Sequence, residues 1–167
     1  ATAELGPIDI LVHNAGGDTA ARGGKPDPND VVHVRAEDVR AVLDRKDVDA
    51  VVVATPDDTH CEIACAAAAA GKAILLQKPM GRNVAECVRA LRAARDAGVF
   101  LQVSFMHRYF EEVVRTRELV AGGKVGPVLS VRIRNATPGP DWGDWFFFKA
   151  KVGGGVVMQL GVHGIDV

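Results

Sequence analysis

Asp49-Ala50-Val51-Val52-Val53-Ala54-Thr55-Pro56 is the stretch on which the fold turns. Ala50 to Ala54 is an unbroken apolar run rich in valine, too short for a helix, and Thr55-Pro56-Asp57-Asp58 breaks it. A strand that is continuously apolar instead of alternating belongs in a parallel sheet covered on both faces. The sequence around it repeats the theme. Thr59 to Ala70 is an alanine-rich helix closed by Gly71, a residue suited to the position past a helix end. Ala73 to Leu76 is the next strand, Asn83 caps a helix running to about Ala97, and Val99 to Ser104 is a further strand. Upstream, Ile8 to Val12 reads as a strand ending in the turn Asn14-Ala15-Gly16-Gly17, residues 18–35 as a loop, and Glu37 to Lys46 as a short helix. Strands are expected at about 8–13, 49–54, 73–77 and 99–104, and their alternation with helices predicts right-handed βαβ units on a parallel sheet.

Past residue 104 the rhythm changes. Glu111 to Ala121 reads as a helix ended by Gly122-Gly123. Val128 to Arg134 alternates polar and apolar positions, which predicts a strand of an antiparallel sheet with one wet face. Ala136 to Asp144 reads as a loop, and a helix is expected to begin from about Gly153. The boundary near residue 104 therefore separates an α/β unit from the start of an α+β one.

Composition narrows the function. The chain has 167 residues, 48% of them apolar and 25% charged, which excludes disordered and fibrous classes. Twenty basic against 21 acidic residues give a net charge of −1, so nucleic acid is not an expected partner. The apolar run Ile63 to Ala70 is too short for a membrane span and lies between Glu62 and Lys72, so no membrane association is expected. Three cysteines, Cys61, Cys65 and Cys87, read as reduced, buried thiols of a cytoplasmic protein. The first residue is Ala1 and the last, Val167, follows a motif-rich stretch, and the chain is expected to be a fragment.

Ligands of parallel sheets bind at the carboxyl ends of the strands. Four loops belong there: Asn14-Ala15-Gly16-Gly17, Ala54-Thr55-Pro56-Asp57, Gln77-Lys78-Pro79-Met80 and Phe105-Met106-His107-Arg108. Lys78 is the best single candidate, since a lysine in a cleft can pair with an anion or donate to a hydroxyl. His163 suits general acid–base work, and if its segment is helical, Gln159, His163 and Asp166 share one face. No metal site is expected, because no His-x-x-x-His or Cys-x-x-Cys occurs. Gly122-Gly123-Lys124 lacks the rest of a P-loop, and no G-x-G-x-x-G occurs.

From about Lys46 to Val167 these motifs resemble the Gfo/Idh/MocA family of NAD(P)-dependent oxidoreductases. The resemblance rests on Asp47 through Pro56, His60, Gln77-Lys78-Pro79-Met80, Phe105 through Phe110, Gly126-Pro127-Val128, Gly153-Gly154-Gly155 and Gly161-Val162-His163 with Asp166. It implies a partial Rossmann-type nucleotide-binding domain over 1–104 and the truncated start of a substrate domain over 105–167. It implies NAD or NADP as cofactor, held by Ala54, Thr55, Pro56, His60, Gln77, Lys78 and Pro79. Lys78 and His163 would be catalytic, and Arg108, Gln159 and Asp166 would face the substrate. Hydride would pass between the cofactor and a secondary alcohol of a sugar or cyclitol, and the full-length protein would associate with its own copies. Two positions depart from the family pattern: Gln77 stands where Glu-Lys-Pro has its glutamate, and Gln159 where an aspartate precedes the histidine by four. Both lose a charge and keep hydrogen-bonding capacity.

Residues 1–45 depart further. Leu5 to Gly17, Gly23-Gly24-Lys25-Pro26 and Glu37 to Arg45 resemble a segment of the short-chain dehydrogenases. The chemistry of that family needs Tyr-x-x-x-Lys, whereas the only tyrosine, Tyr109, has Val113 four positions later, so that activity is excluded. Without a glycine-rich turn to seat the pyrophosphate, the chain alone is expected to bind NAD(P) weakly. A non-catalytic module is the alternative reading.

Overall fold

A computed structural model describes residues 10–14, 36–139 and 144–167. Four strands, β1 (Ile10–Asn14), β2 (Ala50–Ala54), β3 (Ala73–Gln77) and β4 (Leu101–Ser104), form one sheet in the order β1-β2-β3-β4. Each neighbouring pair is parallel, with Val12 opposite Val52, Val51 opposite Ile74 and Leu76 opposite Val103. Helices α1 (Ala36–Leu43), α2 (Asp57–Ala69) and α3 (Val84–Asp96) follow the first three strands in turn. The expected parallel sheet is therefore present. The Asn14-to-Gly17 turn beyond Asn14, the 18–35 loop and most of the segment resembling short-chain dehydrogenases lie outside the described residues.

Small side chains set the spacing of the layers. Cys61, Ala64 and Ala68 recur at helical intervals along α2, and with Ala67 they are almost wholly buried. Ala90 of α3 joins them against Val51, Val53, Ile74 and Leu76. Alanine at these positions lets α2 lie close to both the sheet and α3. Gly71, at φ 72°, closes α2 in the left-handed conformation expected of it. Asn83 caps α3 as expected, its side-chain oxygen accepting from the Glu86 amide at 3.0 Å. Helix α1 stops at Leu43, short of the expected Lys46. The Lys72 ammonium, buried, donates to the Arg45 and Val48 carbonyls at 2.7 Å each and so fixes the chain that leads into β2.

Three expectations are corrected. The central strands are not equally buried on both faces: Val51 and Val53 are buried, but Val52 is half-buried and Leu75 is 37% exposed. Helices α2 and α3 pack side by side on one face, and the described residues cover the other less completely. Residues 128–134 form no strand, and Leu129 is 92% exposed. Alternation prepares a segment for a ladder, but no described strand pairs with it, and a strand exists only through its hydrogen-bonded neighbour. Of the three free cysteines, only Cys61 is buried; Cys65 and Cys87 are half-buried.

After β4 the chain makes a 3-10 turn (Met106–Tyr109) and the expected helix α4 (Glu111–Ala121). It then returns to the carboxyl edge of the sheet. A second 3-10 turn (Asp144–Phe147), the short α5 (Lys149–Val152), a π-helical turn (Val157–Gly161) and α6 (Val162–Asp166) make up this return. Arg82 donates to the Ala150 carbonyl at 2.7 Å, and Lys151 meets Asp58 at 2.6 Å. Val152 is 1% exposed. Gly153, at φ +67°, brings its Cα so near Arg82 that an added Cβ would collide with the Arg82 carbonyl oxygen. No helix among the described residues is long and apolar enough to cross a membrane.

Candidate active site

Two strand-end loops are tied together by one histidine. His60, 0% exposed on the first turns of α2, places Nδ1 2.7 Å from the Pro79 carbonyl and Nε2 2.8 Å from the Thr55 carbonyl. The ring stands between the loop after β2 and the loop after β3, its single N–H donating to one of the two carbonyls when neutral. Burial pushes the His60 pKa below its ordinary value, and the two carbonyls oppose that shift. The Lys78–Pro79 peptide is cis.

The side chains that these loops present meet the returning C-terminal segment. Lys78 Nζ donates to the Gln159 side-chain oxygen and to the Gln159 backbone carbonyl, both at 3.0 Å. Gln159 Nε2 donates in turn to Asp57 Oδ2, in the first turn of α2. Burial lowers the Lys78 pKa, and the nearby Asp57 charge offsets part of that. Burial raises Asp57 to about 6, against the Gln159 hydrogen bond and the Lys78 charge, which favour its ionised form. Thr55, Asp57, Gln77, Lys78 and Gln159 form the polar side of a cavity of about 1010 Å³. Phe146, Phe147, Val156 and Leu160 supply its apolar wall.

The other predicted residues gather beside this cavity. His163 is buried, its ring stacked on His107 with centroids 3.8 Å apart and edge-on to Phe105 at 6.3 Å. Among the described residues its buried Nδ1 has no hydrogen-bond partner. Burial, then the neighbouring His107 and Lys78 charges, lower the His163 pKa, so the ring is neutral near pH 7. Arg108 pairs in bidentate fashion with Asp166 and lies over the Phe105 ring at 5.4 Å. Of the residues expected at the site, Thr55, Gln77, Lys78 and Gln159 line the cavity; Ala54, Pro56, His60, Pro79, Arg108, His163 and Asp166 do not. His60, expected at the cofactor, has both its ring nitrogens against protein carbonyls and lies between the two loops. Sequence reasoning missed Asp57 and His107 as site residues, although both stood in the loops singled out. Their partners come from residues 159 and 163, about a hundred and about fifty-six positions away, and no local pattern shows that. Among the described residues no cluster of metal-ligating side chains occurs.

The cavity fits the nicotinamide end of a dinucleotide. It lies at the carboxyl edge of a parallel sheet, has one aromatic wall, and carries the hydrogen-bonding side chains of Thr55 and Gln77. A four-stranded parallel sheet with such a cavity at its carboxyl edge defines a Rossmann-type nucleotide-binding protein. The family is more specific. The model of the Gfo/Idh/MocA oxidoreductases, described as an NAD-binding Rossmann fold, matches residues 20–105, and that of the Gfo/Idh/MocA C-terminal domain matches residues 113–167. The chain belongs to this family of NAD(P)-dependent oxidoreductases. The first match takes in residues 20–45 together with β2, β3 and β4, and begins after β1.

Levoglucosan dehydrogenase of Pseudarthrobacter phenanthrenivorans is 33% identical over 137 residues, spanning 78% of this chain and 34% of that protein. Myo-inositol 2-dehydrogenase of Thermotoga maritima is 28% identical over 131 residues, spanning 78% and 38%. The structure of a levoglucosan dehydrogenase in complex with NADH and levoglucosan superimposes with a TM-score of 0.72 at 28% identity, covering 96% of this chain and 44% of that one. The chain thus spans well under half the length of these relatives.

Proposed function

We propose that the protein carrying this chain transfers hydride between NAD(P) and a secondary alcohol of a sugar or cyclitol. The observation that carries this reading is the Lys78 ammonium. It lines the cavity, commits two N–H groups to Gln159, and among the described residues has a third without a protein partner. That donor suits a substrate hydroxyl. Hydrogen bonding to it stabilises the negative charge that develops on the oxygen as its proton leaves. His163, kept neutral by burial and lying beside the cavity instead of on its lining, is the proton acceptor that the family resemblance implies. Ala54, Thr55, Pro56, Gln77 and Pro79 form the loops that would hold the nicotinamide and its ribose. When bound, the nicotinamide supplies the hydride acceptor for the carbon that bears the hydroxyl. Arg108, paired with Asp166, lies over the Phe105 ring that His163 also meets.

The relatives named above support the substrate class, and they set the panel to be tried: levoglucosan, inositols and simple aldoses. The test uses the full-length protein with NAD+ or NADP+, following reduced nicotinamide by absorbance. Turnover is expected with at least one polyol, and both Lys78→Ala and His163→Ala are expected to lower kcat by about 10²–10⁴-fold. Turnover that survives Lys78→Ala unchanged would overturn the assignment, and failure to reduce NAD(P) with any polyol would overturn the reaction class.

A further inference from the structure

Gln159 has one donor end and one acceptor end, and both are used. Its oxygen accepts from Lys78 Nζ at 3.0 Å while its Nε2 donates to Asp57 Oδ2. Turning the amide over would set its NH2 against an ammonium and its oxygen against the buried Asp57 carboxylate, two repulsions. Asp57 therefore dictates which end of Gln159 faces Lys78. Asp57 is 3% exposed, yet with Lys78 it is one of the two charged side chains lining the cavity among the described residues. Of the other charges near by, Asp58 is taken by Lys151, and Glu86 by Arg82. Positions 77 and 159, where the family resemblance led one to expect acids, hold neutral glutamines.

We propose that Asp57 is the carboxylate of this site. It is a positioning residue: it orients the Gln159 amide, through which the Lys78 ammonium is held at the cavity, and it balances the Lys78 charge in place of the acids missing at 77 and 159. The proposal rests on the reading of Lys78 given above, and it reaches further by naming the group on which the Lys78 charge and position depend. Burial of Asp57, which raises its pKa to about 6, makes the arrangement sensitive to pH in the range where the site would work. The groups facing Asp57 are Lys78 and Gln159 from the opposing segments and Asp58 from its own helix; His60, which Lys78 and Asp58 influence, lies one turn along.

The experiment follows the Lys78 side-chain NMR signals in full-length protein labelled in lysine, without cofactor, from pH 4 to pH 11; Lys78→Arg identifies the signals. In the wild type the Lys78 signals are expected to shift with an inflection near pH 6, as Asp57 takes up its proton. Asp57→Asn keeps an acceptor for Gln159 but removes the charge, and is expected to abolish that inflection and lower the Lys78 pKa by about one unit or more. The double variant Asp57→Asn/Gln159→Asp returns a carboxylate from the other side and is expected to restore the Lys78 pKa. In the turnover assay Asp57→Asn should lower kcat about tenfold or more with the KM for NAD(P) little changed, and should shift the acid limb of the kcat profile. A Lys78 signal with no inflection between pH 4 and pH 8 in the wild type overturns the proposal, whether or not the variants fold. So does a Lys78 pKa unchanged in folded Asp57→Asn. Because the titration needs no turnover, an enzyme that reduces no polyol leaves its outcome intact.

Discussion

Lys72 and Lys78 are six residues apart, and their partners separate their roles. Lys72 is buried and donates to the Arg45 and Val48 carbonyls, a structural tie between a helix end and the start of β2. Lys72→Met keeps the aliphatic stem but leaves both carbonyls without their donor. It is expected to cost about 1–3 kcal/mol in chemical denaturation, with the Lys78 titration unmoved; an unchanged midpoint would refute the tie. Asp57 gives a second prediction. Folded Asp57 keeps its proton up to about 6, while the unfolded chain releases it near 3.8, so its contribution makes stability fall as pH rises through that window. His60 works the other way, since a histidine whose pKa is lowered by burial adds stability as pH rises toward 6.5. The comparison that isolates Asp57 is therefore wild type against Asp57→Asn. The variant should gain on the wild type by on the order of 1–3 kcal/mol between pH 4 and pH 7. A parallel pH dependence of the two would contradict the assignment.

At the scale of elements, the site depends on how loops and the returning segment are held. His60 joins the loops after β2 and β3, and His60→Ala is expected to destabilise by about 1–3 kcal/mol through lost buried hydrogen bonding, and to loosen Lys78 with it. Gly153 sits where a Cβ would meet backbone and where φ is positive. Gly153→Val should therefore undock residues 149–167 while leaving the sheet folded. Hydrogen exchange would show faster exchange in α5 and α6 and unchanged protection in β2 and β3; equal loss in both would mean that the glycine supports the whole fold instead. Much of this architecture was legible beforehand. Apolar runs bounded by Pro and Gly place β2 and β3, and Asn83 and Gly71 mark helix ends, because these signals are local. The strand expected at 128–134 was not realised, since a ladder needs a neighbour that alternation cannot supply. The uneven burial of β2 was hidden because Val51 and Val52 are the same residue type; only the position of α2 and α3 distinguishes their faces.

At the scale of the molecule, the strand-end loops were readable as a site because parallel topology sends them all to one edge. Thr55, Gln77, Lys78 and Gln159 line the cavity there, while Arg108 and His163 lie beside it. The link from Lys78 through Gln159 to Asp57, and the stack of His107 on His163, were not readable, because each joins segments that only the tertiary fold brings together. The central claim is that this one cavity receives both the nicotinamide and the substrate hydroxyl, with Lys78 donating to the latter. A crystal structure of the full-length protein with NAD(H) and a polyol that it turns over tests this most directly. The account predicts the nicotinamide between the Thr55–Pro56 loop and Gln159, and Lys78 Nζ within about 3.2 Å of a substrate oxygen. A cofactor bound elsewhere, or a substrate with no oxygen in hydrogen-bond reach of Lys78, would contradict it.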